Sequence, residues 1–103
     1  MKTILVDAVD CFVTEKVVDQ ELHALLEQYP NRKILLTGAN DEQLVEFGLV
    51  GMPYEVFTLK HNPQKADPAY YQTMLAHFGL AAGDVVYFEH AQPAVKSAQS
   101  VGI

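Results

Sequence analysis

The 103-residue sequence contains one cysteine, Cys11, and no tryptophan. A single cysteine excludes an internal disulfide and any metal site built from several cysteines. No apolar stretch approaches the length of a membrane-spanning helix, and the N-terminus lacks the basic-then-apolar pattern of a signal peptide. We therefore expect a cytoplasmic protein that does not bind membranes.

Basic residues are also few, since seven lysines and arginines face 13 aspartates and glutamates, for a formal net charge of −6. The seven are scattered along the chain, whereas tight binding to nucleic-acid phosphates normally needs a basic stripe. We therefore expect no nucleic-acid partner. The length and the 50% hydrophobic content predict one globular domain over residues 1–103.

The sequence does have four apolar segments of the kind buried in parallel sheets, each followed by a helical pattern. The predicted strands span residues 3–10, 33–38, 54–59 and 85–89, and the predicted helices begin at Asp19, at Asn40 or Asp41, at Asp67 and near Gln92. Residues 11–16 are predicted as a loop and the third strand as an edge strand. Right-handed crossovers then predict an α/β fold, a doubly wound, Rossmann-like parallel sheet of about four strands in a three-layer αβα arrangement.

Polar residues stand at the carboxyl ends of these predicted strands, where open α/β sheets bind ligands. They are Asp7 and Asp10, then Thr37 and Gly38, then Glu89 and His90, joined by Lys65 from the loop before the third long helix. A carboxylate that attacks phosphorus, with a hydroxyl and an ammonium that offset phosphoryl charge, is a set suited to phosphoryl transfer.

Each of these residues also has a plainer interpretation. Thr37 is an ordinary strand-end residue in many proteins, and Lys60 is a rival to Lys65 for the role of the cation. Cys11 is interpreted as a small buried residue rather than a nucleophile. The histidines outside the predicted strand ends are interpreted as surface groups: His23, His61 and His77.

Four motifs together resemble the haloacid dehalogenase (HAD) superfamily of hydrolases over nearly the whole chain. Ile4–Cys11 resembles its first motif, an apolar strand ending in Asp-x-Asp-Gly-Thr, and Leu35–Gly38 resembles its second. Lys65–Pro68 resembles the Lys-Pro-Asp-Pro that places the third-motif lysine, and Val85–His90 resembles the fourth motif. The resemblance implies a phosphatase-type hydrolase acting through an aspartyl-phosphate on Asp7.

The resemblance also implies the other roles. Thr37 and Lys65 would act with Asp7 in catalysis, and Thr37, Gly38 and Lys65 would bind the phosphorylated substrate. Asp7 and Glu89 would hold a magnesium ion. Four positions depart from the family pattern. Val9 takes the place of the second aspartate, which is the general acid/base, and His90 takes that of the main metal-binding aspartate. Asp10 and Cys11 stand where the first motif has glycine and threonine. We therefore expect weak or impaired turnover.

The segments between the motifs are too short for the cap domain that many relatives carry. The resemblance implies a fifth strand after Gly102, which this sequence does not contain. We expect the outer edge of the fourth strand to pair with a second copy in a homodimer. The alternative is that the sequence is a truncated piece of a longer protein. The alternative function is a catalytically inactive HAD-like domain that serves as a binding or scaffold module. A response-regulator receiver is disfavoured because its aspartate should end the third strand, where Thr58–Lys60 stands.

Overall fold

The computed structural model describes all residues, 1–103, and its centre is a sheet of four parallel strands. In chain order the elements are β1 (Thr3–Asp7), β2 (Val13–Thr14), β3 (Val17–Val18), α1 (Gln20–Glu27), β4 (Lys33–Leu36), α2 (Asp41–Glu46), β5 (Glu55–Phe57), α3 (Pro68–Phe78), a 3₁₀ turn (Ala82–Asp84), β6 (Val85–Phe88) and α4 (Gln92–Ser100). The predicted α/β class and the four-stranded parallel sheet are confirmed.

The strand order in the sheet is β5-β4-β1-β6. The chain therefore builds outward from β1 on one side, through β4 to β5, and then crosses to the other side of β1 with β6. The predicted third strand is confirmed as an edge strand, although it is shorter than residues 54–59. Since the order reverses at β1, the carboxyl end of β1 is the place where such sheets bind ligands.

β1 is the most buried strand, with all five of its residues buried. Its side chains alternate between two apolar clusters, as strand geometry requires. Leu5 packs in a cluster with residues of α3 and α4, among them Tyr71 and Ala98. Val6 packs in a second cluster with Phe12 and with Leu26 of α1. Burial on both faces explains why the sequence of β1 is a continuous apolar run.

The predicted loop at residues 11–16 is instead the start of a small antiparallel hairpin. Its two central residues, Glu15 and Lys16, have φ angles of 51° and 67°. Two positive φ angles are what a tight hairpin turn requires, and asparagine or glycine usually supplies them. The hairpin was missed because Glu-Lys carries no such signal. The first strand also ends at Asp7 and does not reach Asp10, which itself has a φ of 62°.

The helix starts follow the predicted capping residues. The side chains of Asp19, Asn40 and Asp67 each accept a backbone N–H in the first turn of α1, α2 and α3. In α2 the cap is Asn40 rather than Asp41. The longest helix has 11 residues, and no helix is long and apolar enough to cross a membrane.

We expect Val6→Ala to lower the free energy of unfolding by about 2–3 kcal/mol, because it removes fully buried methyl groups and leaves a cavity. The matched control is Val45→Ala on α2, where the side chain is 69% exposed and alanine is the better helix former. Urea denaturation measures both. Equal losses at the two positions would contradict the placement of β1 in the core.

Candidate functional site

Polar residues from three neighbouring strands meet at the carboxyl edge of the sheet. Asp7 is the last residue of β1, Thr37 follows β4 directly and Glu89 follows β6 directly. The register pairs Val6 with Phe88, so the residues after them, Asp7 and Glu89, lie at the same level. The sequence therefore predicted correctly that these strand ends converge.

A lysine ammonium bridges the two carboxylates. Lys65 Nζ donates a hydrogen bond to Asp7 Oδ1 and lies 2.7 Å from Glu89 Oε2. The Lys65 side chain is 17% exposed, and those of Asp7 and Glu89 are 5% and 1% exposed. Three charges are thus largely removed from water, which is tolerable because each is paired with an opposite charge.

The position of Lys65 is fixed by the residues that follow it. The carbonyl of Ala66 accepts a hydrogen bond from the hydroxyl of Ser97 on α4. Asp67 then caps α3, and Pro68 occupies the first turn. Lys65 is therefore held between a tethered backbone and a helix start, which is the context that its motif predicted.

The rival lysine lies elsewhere. Lys60 Nζ is 3.1 Å from a carboxylate oxygen of Asp41, and both side chains are more than half exposed. Lys60 therefore forms a surface ion pair, and Lys65 is the lysine that reaches Asp7.

Glu89 is held by four donors. Its Oε2 accepts from the Tyr87 hydroxyl at 2.5 Å as well as from Lys65, and its Oε1 accepts the backbone N–H groups of His90 at 3.0 Å and Ala91 at 3.1 Å. Burial alone would raise the pKa of Glu89, but the hydrogen bonds from Lys65 and Tyr87 outweigh it and lower the pKa to about 2. Glu89 is therefore a fixed anion.

Tyr87 was not singled out from the sequence. It stands two residues before Glu89, and side chains two apart on a strand share a face, so the spacing carried the signal. Burial and the hydrogen bond to Glu89 raise the pKa of Tyr87. Its hydroxyl therefore stays protonated and donates a hydrogen bond to Glu89. The Tyr71 hydroxyl lies 3.2 Å from that of Tyr87 and extends the network into the core.

Asp7 is in the opposite electrostatic situation. Burial raises the pKa of Asp7, Lys65 lowers it, and Glu89 raises it again. The net result is a pKa of about 6, above the ordinary value of 3.8. The Oδ2 atom is buried and has no hydrogen-bond partner. Asp7 is therefore a basic carboxylate with one oxygen left uncommitted.

His90 lies beside that oxygen. Its Nδ1 is 2.6 Å from Asp7 Oδ2, without the alignment of a hydrogen bond, and 3.3 Å from Glu89 Oε1. The imidazole is 55% exposed. Asp7, Glu89 and His90 each offer a ligand atom within 4.8 Å of the others, so together they could hold a metal ion. The sequence predicted Asp7 and Glu89 for this role and treated His90 as a departure.

An open pocket of about 430 Å³ lies over the cluster. Thr37 lines it, and its Oγ1 accepts the Ala39 N–H at 3.2 Å, which leaves the hydroxyl hydrogen free to donate. Gly38 lines it too, and a Cβ there would stand 3.3 Å from His61 Nδ1, so glycine keeps the backbone accessible. His61 is exposed, as predicted for a surface group, and it also lines the pocket, where its ring nitrogens contact Gln43 and Gln64.

The other residues of the first motif lie at the margin. Val9 and Asp10 line the same pocket, but the ion pairs of Lys65 involve Asp7 and Glu89 and not Asp10. Cys11 is half-buried, and burial followed by the charges of Asp7 and Glu89 raises the pKa of its thiol. A protonated thiol is a poor nucleophile, which agrees with its interpretation as a packing residue.

Comparison with known proteins yields no relative, because no protein-family model, no curated protein and no solved structure matches the chain.

The two carboxylates should affect stability in opposite directions. The pKa of Asp7 is about 6 in the folded protein against an ordinary 3.8, so the proton that the folded state retains stabilises it at low pH, and this stability is lost as the pH rises from about 3.8 to about 6. We expect Asp7→Asn to raise the free energy of unfolding by about 1–3 kcal/mol near pH 8 and to change it little near pH 4. Urea denaturation at the two pH values measures this.

Glu89 has a pKa of about 2 in the folded protein against an ordinary 4.5, so its charge stabilises the fold above pH 4.5 and that stability is lost as the pH falls. We expect Glu89→Gln to lower the free energy of unfolding by about 2–4 kcal/mol near pH 8. The control is Asp10→Asn, an exposed carboxylate, with a change within about 0.5 kcal/mol. A shift of the same sign at Asp7 and Glu89 would contradict this division.

Proposed function

We propose that the chain is a HAD-like hydrolase domain of the phosphatase type, with Asp7 as nucleophile. The observation that carries the proposal is the Lys65 ammonium, which joins Asp7 to Glu89 at the floor of a pocket lined by Thr37 and Gly38. A basic carboxylate, a cation and free N–H or O–H donors are the parts that phosphoryl transfer to an aspartate needs.

The proposed reaction has two steps. A phosphomonoester binds with its phosphoryl oxygens near the Lys65 ammonium, the Thr37 hydroxyl and the Gly38 backbone. A carboxylate oxygen of Asp7 attacks phosphorus, the ester P–O bond breaks, and the alcohol leaves with a proton from water. A second water then attacks phosphorus, which releases phosphate and restores the carboxylate. With a pKa of about 6, Asp7 is largely ionised at neutral pH yet more basic than an ordinary aspartate.

Turnover should be slow. Val9 lines the pocket where the HAD pattern has its acid/base aspartate, and its side chain cannot transfer a proton. Loss of a general acid costs about 10²- to 10⁴-fold in rate. Aryl phosphates, whose leaving groups need little protonation, are therefore the substrates of choice.

Magnesium is the ion that the resemblance implies for Asp7 and Glu89. The residues present fit it poorly, because the third candidate ligand is the imidazole of His90 and Mg²⁺ prefers oxygen. The steps above accordingly depend on the chain's own groups.

Val9 and His90, which stand where the HAD pattern has aspartates, favour a second function. This is a HAD-like binding or scaffold module without turnover. Val9 removes the general acid, and His90 alters the metal site, while the anion-binding groups Lys65 and Thr37 remain. Such a module would bind a phosphorylated ligand and leave it intact.

The proposed architecture is the three-layer αβα arrangement of a single, capless domain. It is supported by the two apolar clusters that share β1, one including residues of α3 and α4 and the other Leu26 of α1. Between Gly38 and Lys65 the chain has only the six-residue α2 and the three-residue β5. No further element is present there to cover the pocket, which favours bulky phosphorylated substrates.

Hydrolysis of an aryl phosphate tests the enzymatic function. We expect slow release of the phenol by the unaltered chain and a loss of at least about 10³-fold in Asp7→Asn, because the nucleophile is gone. Glu21→Gln is the matched control and should keep its rate, since Glu21 is an exposed carboxylate on α1 that does not line the pocket.

Equal rates in all three proteins would contradict catalysis by Asp7. In that case binding of inorganic phosphate by the unaltered chain, lost in Lys65→Met, would support the binding module. Absence of both turnover and phosphate binding would reject both functions.

We also propose that a second copy of the chain pairs with the outer edge of β6. That strand bonds to β1 on one side only, and its Val86 and Phe88 are 39% and 46% exposed. They line an apolar groove of about 460 Å³ with Leu22 and Leu25 of α1. An antiparallel pair centred on Tyr87 would set Val86 of one copy against Phe88 of the other.

The charge of the residues that line the groove also favours a second copy of the chain as its occupant. Lys2 is the one charged residue that lines the groove, so two copies with a net charge of −6 each would meet there without opposed acids. An unpaired strand edge beside an apolar surface is a common site of self-association.

Sedimentation velocity over a range of concentrations tests the dimer. We expect a concentration-dependent dimer that Phe88→Lys abolishes, because a charge then stands in the apolar contact. Val50→Lys is the control, since Val50 is 68% exposed and outside the groove. A monomer at every concentration, or a dimer unaffected by Phe88→Lys, would contradict this interface.

A further inference from the structure

The uncommitted oxygen of Asp7 is the starting observation. The Asp7 side chain is 5% exposed, and its Oδ2 has no hydrogen-bond partner. Buried carboxylate oxygens are nearly always hydrogen-bonded, so an unsatisfied one is a place where a bound cation could complete the contacts. The atom faces His90 Nδ1 at 2.6 Å, an approach without hydrogen-bond alignment.

Asp7 Oδ2 is one of three potential metal-ligand atoms that lie close together. His90 Nδ1 is 2.6 Å from Asp7 Oδ2 and 3.3 Å from Glu89 Oε1, and the three ligand atoms all lie within 4.8 Å of one another. Ligand atoms around a tetrahedral zinc ion stand about 3.3–3.5 Å apart, given metal–ligand bonds of about 2.0–2.2 Å. The imidazole is 55% exposed, so it has room to withdraw from Asp7 Oδ2 by the roughly 0.7–0.9 Å that a tetrahedral ion requires.

Lys65 does not compete for these atoms. Its ammonium contacts Asp7 Oδ1 and Glu89 Oε2, the other oxygen of each carboxylate. Two carboxylates and one ammonium leave a net charge of −1, which favours a second cation. The backbone N–H groups of His90 and Ala91 fix the position of Glu89 Oε1, and an ion would share that oxygen with them.

The donor set selects the class of ion. Two carboxylate oxygens and one imidazole nitrogen suit Zn²⁺, Co²⁺ or Mn²⁺ better than Mg²⁺, which requires oxygen ligands in a near-octahedral arrangement. We propose that Asp7, Glu89 and His90 form a three-ligand site for a transition-metal dication of the zinc class, with its remaining position open to the pocket. The site stands on geometry alone and would exist in either proposed function.

Metal titration of the intact, metal-free chain tests the site. Zn²⁺ and Mg²⁺ are titrated in competition with a chromophoric chelator, and Co²⁺ is added as a spectroscopic probe. We expect one Zn²⁺ per chain, bound at least about 10²-fold more tightly than Mg²⁺, and intense visible absorption from four-coordinate Co²⁺. These measurements do not depend on turnover, so a chain inactive toward phosphate esters can still pass them.

Variants assign the ligands. We expect His90→Gln to weaken Zn²⁺ binding at least about 10-fold and to abolish the Co²⁺ bands. His90→Asp should restore an all-oxygen set, so its preference for Zn²⁺ over Mg²⁺ should fall. Two controls should bind Zn²⁺ unchanged: His23→Gln, which removes the exposed His23–Glu27 pair of α1, and Cys11→Ser, which removes the only thiol.

Zn²⁺ binding that persists in His90→Gln, or that disappears in either control, would overturn the assignment. Equal affinity for Mg²⁺ and Zn²⁺ in the unaltered chain would overturn the selectivity. Circular dichroism of each variant separates loss of a ligand from loss of the fold.

Discussion

The arrangement of the site depends on one buried ammonium shared by two carboxylates. Lys65 links the ends of β1 and β6 through Asp7 and Glu89, which would otherwise repel each other in a site with little water. The sharing is unequal, because Glu89 has Tyr87 and two backbone N–H groups as further donors whereas Asp7 has none. Glu89 is thereby the fixed anion and Asp7 the basic one, which is how paired carboxylates acquire separate roles.

The sequence predicted the scaffold because its signals are local. Continuous apolar runs indicated buried parallel strands, Asp67-Pro68 indicated the start of α3, and right-handed crossovers then left few topologies open. The convergence of Asp7, Thr37 and Glu89 followed from the topology, since parallel strands end at one edge. Lys65 was predicted by its motif, although Lys60 was a rival until the loop geometry was known.

The features that the sequence did not predict depend on contacts between distant residues or on unusual backbone angles. The β2–β3 hairpin has Glu15 and Lys16 in left-handed conformations, which the preferences of those residues do not predict. The position of His61 in the pocket depends on Gln43, 18 residues away. His90 was identified at the end of its strand but interpreted as a poor magnesium ligand, and its contact with Asp7 was not predicted. Side-chain direction, and not residue type, places it against Asp7 Oδ2.

The unequal sharing of Lys65 is tested most directly by the titration of the two carboxyl groups themselves. Carbon-13 NMR of carboxyl-labelled, metal-free protein would follow each signal with pH, with Asp7→Asn and Glu89→Gln assigning the resonances. The predicted result is a midpoint of about 6 for Asp7 and an ionised Glu89 down to about pH 2. Midpoints for both groups near their ordinary values of 3.8 and 4.5 would contradict it.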